Sequence, residues 1–248
     1  MKRQKRFREL RIYAYADRIP FGDLPDELQR LIRISERVVF RFGCKLRELD
    51  FRLNSFALVF FQLDIDRSEE DEPELKADIL MKDVLQVIIG FPKSILGLNQ
   101  HDIENAIASF VAAHLKMVSA RFGGDPEIVK KTELALLKFG QQTEIVAAEK
   151  DTKNFHVQIF FLCRPPKFGP DNMAANSVSV FLRYIDKRQG EQQTRFLFDT
   201  LYFRLDAMLG RLEIQGNTLE LIPKATEKGK LYLKDIKYPN KISLTEFN

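Results

Sequence analysis

The residues whose types and spacing could do chemistry are three aspartates. Asp64 and Asp66 close the apolar run Phe56, Ala57, Leu58, Val59, Phe60 and Phe61, and Asp17 closes the earlier segment Leu10–Ala16. Carboxylates delivered at neighbouring strand ends hold Mg²⁺ through oxygen ligands, and such an ion can orient phosphates. Asp17, Asp64 and Asp66 are therefore the candidate metal ligands, against the plainer reading of solvated residues at strand ends. Glu74-Leu75-Lys76 has the (D/E)xK spelling of one nuclease class, but the pattern places it in a helix opened by Pro73. His101, His114 and His156 are too scattered for a ligand set. No serine or cysteine sits in a recognisable nucleophile elbow, and no phosphate-binding glycine loop or Cys-x-x-Cys pair occurs. No catalytic residue follows from these patterns.

Two charged segments could recognise a partner. Lys2, Arg3, Lys5, Arg6 and Arg8 could contact nucleic-acid phosphates, aided by Phe7, or could simply solubilise a leader. Glu69, Glu70, Asp71 and Glu72 belong to an acidic stretch, Asp64–Asp78, that could dock a basic protein or mimic phosphates. Its plainer reading is a solvated loop and first helical turn. Both segments lack apolar residues at core spacing, so they are expected to act on partners rather than on the fold.

The elements that must position these groups follow from periodicity. Leu10, Ile12, Ala14 and Ala16 alternate with Arg11, Tyr13 and Tyr15, the pattern of a half-buried strand. A helix follows, with Asp23 or Asp26 near its N-cap, Leu28, Leu31, Ile32, Val38 and Val39 as its apolar face, and Gly43 as its stop. Leu46–Asp66 reads as two adjacent strands, the second covered on both faces, and a helix runs from Pro73 to about Ile89. Further helices span Asp102–Phe122, ending in Gly123-Gly124, and Asp125 to Gly140, with Asp125 as N-cap and Pro126 at the first position. From Gln142 the grammar is that of antiparallel strands, including a tight turn at Gly216-Asn217 and an ambiguous segment, TRFLFDTLYFRLD. The expectation is an α+β fold with an N-terminal β-α-β-β unit, a helical middle and C-terminal antiparallel strands. It divides into a β-α-β-β-α unit over 1–92 and helices followed by an antiparallel sheet over 93–248, an order also compatible with one domain.

LRIYAYADRIPF and RLNSFALVF, in that order, resemble the first strand and the signature hairpin of palm-type domains, as in the GGDEF cyclases. The resemblance covers about a quarter of the chain. It implies Asp17 at the metal-aspartate position and Phe21 at the conserved aromatic. Where that family has two glycines and two acids before the phenylalanine, this chain has Arg52, Leu53, Asn54 and Ser55. The resemblance thus implies a palm-like topology without the groups that bind and activate a nucleotide.

Bulk properties set the frame. The 248 residues are 45% hydrophobic and 30% charged, enough apolar material for a substantial core. Phenylalanine (21) without any tryptophan implies an interior dominated by Phe packing. A net charge of +4 neither demands nor excludes nucleic acid. Cys44 and Cys163 read as buried apolar residues rather than a disulfide. No stretch reaches the ~18–20 apolar residues of a membrane span, and the N-terminus has no apolar secretory core, so cytoplasm is the expected compartment. The leading functional expectation is a non-catalytic interaction or regulatory protein that binds another protein, or a nucleotide through a degenerate palm. Its alternative is a nucleic-acid-binding or nucleic-acid-processing protein. No cofactor is expected, Mg²⁺ entering only under the alternative.

Overall fold

The structure, a computed structural model, describes residues 5–15, 24–78, 81–164, 177–227, 231 and 241–244. The chain is α+β and forms two compact units, Met1–Thr143 and Glu144–Asn248. In the first unit the elements run β1 (Lys5–Arg6), β2 (Glu9–Tyr15), α1 (Asp26–Glu48), β3 (Arg52–Leu53) and β4 (Leu58–Asp64). They continue with β5 (Glu74–Ala77), β6 (Val84–Gly90), a 3-10 turn at Lys93–Ile95, α2 (Gln100–Phe122) and α3 (Pro126–Phe139). The main sheet has the order β2-β4-β6-β5; β2, β4 and β6 are parallel, and β5 runs antiparallel along β6.

Strand alternation decides which side chains meet the helices. Leu10, Val59 and Leu85 lie level across three strands, as do Ile12, Phe61 and Val87, and all six are buried. They join Leu31, Ile34, Val38 and Phe42 of α1 and Ile107, Val111, Leu115 and Val118 of α2 in one core. Asn99 caps α2 by accepting the Asp102 N–H, and Gly123, at φ 75°, ends it. Asp125 caps α3 in the same way, with Pro126 at its first turn.

The hairpin expected over Leu46–Asp66 does not form. The helix α1 runs on to Glu48, because Leu46, fully buried, extends its apolar stripe. Gly43 serves close packing instead of termination, since a Cβ there would stand 2.9 Å from the Leu10 Cβ. Termination falls at Leu49 and at Asp50, which adopts φ 56°. The partner of β4 is then β2, in parallel, and the two-residue β3 pairs with β1.

The helix expected from Pro73 to Ile89 is also replaced, by the β5–β6 hairpin. Val84, Val87, Ile88 and Ile89 are β-branched and favour a strand. The triplet Glu74-Leu75-Lys76 consequently lies on a strand, β5. Coverage of both faces of β4 is a third correction. Val59, Phe61 and Leu63 are buried, whereas Leu58 and Phe60 are only half-buried.

In the second unit β7 (Ile145–Asp151), β8 (Phe155–Arg164), β9 (Ser177–Asp186) and β10 (Glu191–Leu201) make an antiparallel sheet in the order β10-β9-β8-β7. The ambiguous segment is both element types, β10 yielding at Tyr202 to α4 (Tyr202–Met208). A smaller sheet follows from β11 (Arg211–Gln215), β12 (Thr218–Ile222) and β13 (Lys241–Ser243), with Gly216 at φ 59° in the first turn. The run LYLKDI, which begins at Leu231 and reads in sequence as a last strand, otherwise lies outside the described residues.

Candidate functional site

The parallel register brings the C-terminal ends of β2, β4 and β6 level, with Tyr15 beside Asp64 and Asp64 beside Gly90. Ligands of parallel sheets commonly sit at this edge, so the fate of its carboxylates is decisive. Asp64 turns its Oδ1 onto the backbone N–H of Asp66 at 3.0 Å, while its carbonyl accepts from Phe91 N at 3.0 Å. Asp66 is exposed, and Asp17 lies outside the described residues. Among the described residues no group of three or more His, Cys, Asp or Glu side chains is placed to hold a metal ion. Glu74 pairs with Lys76 of its own strand at 2.9 Å.

The acidic loop is built into this edge. Gly90 lies directly under it, for a Cβ there would run into the Ser68 carbonyl oxygen. Asp71 accepts from Ser68 N at 3.1 Å and faces Arg67 at 3.7 Å, and Glu69 accepts from Ser94 Oγ at 2.9 Å. Glu69, Glu70, Asp71 and Glu72 are all exposed.

The basic arm is likewise part of the fold. Lys5 and Arg6 form β1; Phe7 is buried edge-on against Phe51, with centroids 5.5 Å apart, and is not free to stack on a base. Arg6 faces Asp50 at 3.8 Å and Arg8 pairs with Asp83. Lys2 and Arg3 lie outside the described residues.

The histidines remain apart. His114 is part of the helix packing, its Nδ1 2.8 Å from the Phe110 carbonyl oxygen, and burial pushes its pKa down. A buried ionic clasp joins α1 to α2, where Arg41 lies 3.4 Å from Glu104. Burial pushes the Glu104 carboxyl up, but the amides of Gln100 and Gln141 and the Arg41 charge outweigh it, leaving its pKa below the usual value.

The surface that the sequence did not single out is the second face of the main sheet. Arg11, Phe60, Gln86 and Lys76 lie level across β2, β4, β6 and β5, and Tyr13, Gln62, Ile88 and Glu74 form the next row. Tyr13 is 45% exposed and meets Phe60 edge-on at 5.8 Å, and the Arg11 guanidinium stands 5.4 Å over the same ring. Leu58, Phe60 and Ile88 are half-buried. Arg11 donates to Glu9 at 2.6 Å and to the Tyr13 hydroxyl at 3.0 Å, and hydrogen bonding to Glu9 pushes its pKa further up. The result is an apolar, aromatic centre whose flanking charges neutralise one another. The sequence signal was Gln62 and Gln86, single polar residues inside otherwise apolar strands.

No helix among the described residues is long and apolar enough to cross a membrane. No family model, curated protein or solved structure matches the chain.

Proposed function

We propose that this chain is a non-catalytic interaction protein that docks another protein on the face of β2, β4, β6 and β5 that carries Tyr13 and Phe60. The observation that carries this reading is Tyr13, 45% exposed, over the half-buried Phe60 and Ile88 on a sheet built mainly of parallel strands. Parallel sheets are almost always covered on both faces, so an aromatic patch left partly exposed on one is a surface that gains by being covered. An apolar centre within a polar rim is also the composition of protein–protein interfaces. The nucleic-acid reading draws less support, because Arg11, Lys76, Arg6 and Arg8 are engaged by Glu9, Glu74, Asp50 and Asp83. A phosphate backbone needs cations free to displace its counterions.

The test is affinity capture from the native lysate with the intact chain and with Tyr13→Ser/Phe60→Ser, followed by mass spectrometry and a nucleic-acid assay. A defined protein retained by the parent chain, lost in the variant and insensitive to nuclease is the expected result. Salt-sensitive retention of nucleic acid instead would replace this reading with the alternative.

A further inference from the structure

We infer that α1, α2 and the 3-10 turn Gly140–Gln142 that follows α3 build a binding site for a phosphate group, held by the guanidinium forks of Arg37 and Arg41. The site is separate from the docking face and stands or falls without it.

The site starts from a buried donor that the fold leaves unmet. Arg41 is 4% exposed, yet among the described residues its side chain hydrogen-bonds to Glu104 alone, 3.4 Å from Nη1, and its Nε is buried with no acceptor. A guanidinium offers five N–H groups, and burying them unmet is costly. Arg37 stands four residues earlier on α1, where such side chains adjoin on one helix face. It donates its Nε–H to the Arg33 carbonyl oxygen at 3.2 Å and, among the described residues, enters no ion pair. Burial pushes its pKa down, and the Glu104 charge offsets this only in part. Lys45, the next cation along the row, is already answered by Glu48 at 2.6 Å.

Acceptors are what the cluster lacks. The Glu104 Oε1 takes the amides of Gln100 at 2.9 Å and Gln141 at 2.8 Å, which leaves Oε2 to face Arg41. Two forks thus share one carboxylate oxygen, and the cluster keeps a net positive charge. Arg37 is half-buried and Gln100 exposed, so the cluster reaches solvent on their side. A phosphate group brings three strong acceptor oxygens and a larger negative charge than a carboxylate. Its oxygens match planar guanidinium forks bidentately. It therefore satisfies both arginines at once, which a second carboxylate with two oxygens does less completely.

The experiment melts the intact chain in inorganic phosphate, acetate and chloride at equal ionic strength, then titrates it calorimetrically with phosphate and with adenosine monophosphate. Phosphate should raise the melting temperature by linkage, and acetate and chloride should not. Arg37→Gln should weaken phosphate binding about tenfold and keep the fold, because that side chain is only half-buried. Arg41→Gln should abolish binding; where that variant does not fold, Arg37→Gln decides. Glu104→Gln removes the competing charge and should tighten phosphate binding about threefold, a gain that a purely structural clasp does not give. Lys130→Gln/Lys131→Gln, on an exposed stretch of α3, should leave binding unchanged. No effect of phosphate, an equal effect of acetate, or equal losses in the lysine and Arg37 variants overturns the site. Tighter binding of the nucleotide than of phosphate assigns the group to a nucleotide; equal or weaker binding assigns it to the free ion.

Discussion

The two units carry the same surface device on sheets of opposite type. In the first, Arg11 stands over Phe60 beside Tyr13. In the second, Arg183 stands 4.4 Å over Phe160, which stacks at 5.2 Å on Phe181, and Phe181 meets Phe196 edge-on. Arg183 donates to Gln158 at 3.0 Å and twice to Glu144, at 2.7 and 2.8 Å, and Phe160 is 3% exposed. An antiparallel sheet with one wet face is an ordinary arrangement, and this Phe ladder ends on it at Phe196, which is 51% exposed. The mainly parallel sheet of the first unit is of a type usually covered on both faces, yet Tyr13 on it is 45% exposed. Similar residues thus lie on an ordinary wet face in one unit and on a sheet of a type usually covered on both faces in the other.

The contrast can be broken most sharply inside β4. Phe61 faces the core and is fully buried, so Phe61→Ala should cost about 3–5 kcal/mol in urea unfolding. Phe60, one residue away on the open face, should cost about 1 kcal/mol. Equal losses would show that both faces are covered.

Glycines give the next largest effect. Gly90→Ala drives a methyl into the Ser68 backbone and should cost about 1–3 kcal/mol, displacing the acidic loop. Gly190, at φ 73° in the β9–β10 turn, has open space around it, so Gly190→Ala should cost about 1 kcal/mol through backbone strain alone. Thermal melts of the two variants would rank them.

The open faces themselves can be compared with an apolar fluorescent dye. Tyr13, 45% exposed beside Phe60, and Phe196, 51% exposed beside Phe181, should each lower dye binding to the folded chain when changed to Ser. A larger loss in Phe196→Ser would move the docking surface to the second unit.

The smallest effects concern pH, and the units separate there too. The His114 pKa lies below its ordinary 6.5 because burial disfavours the imidazolium. The unfolded chain therefore binds the extra proton first, and stability should fall as pH drops through about 6.5. His114→Gln should flatten that slope. In the second unit the Arg188 side chain, helped by backbone N–H groups, holds Asp186 at about 2, down from 3.8. Its contribution is complete above 3.8 and is lost as pH falls toward 2, so Asp186→Asn should remove a far more acidic slope. Denaturant midpoints across pH measure both.

Elements with strong local signals were legible. Asn99 and Gly123 bound α2, Asp125 and Pro126 open α3, and the Gly216 turn lies where its residues put it. What failed depended on long-range pairing. Gly43 looked like a helix stop because its sequence does not record that Leu10 packs against it. Val84–Ile89 looked helical because a short apolar run has no period until its neighbours are known. The charged segments looked free because Asp50 and Asp83, which engage Arg6 and Arg8, are distant in sequence. Of the candidate site residues, Asp64 was correctly placed at a strand end, but its turn hydrogen bond to Asp66 emerges only in three dimensions. The partial exposure of Leu58, Phe60 and Ile88 was hidden because they are as apolar as any core residue.

The strand order β2-β4-β6-β5 also governs how the chain reaches its native state. Phe60 lies between Arg11 and Gln86 in register, so the most apolar strand waits for one neighbour made long before it and another made well after. During synthesis the Phe56–Leu63 run emerges with its later partner still unmade, and such non-local pairing is slow. In that interval the segment has the composition of an aggregation nucleus. Expression at lower temperature or with a holdase chaperone should thus raise the soluble yield of this chain more than adding solubilising charge to its folded surface.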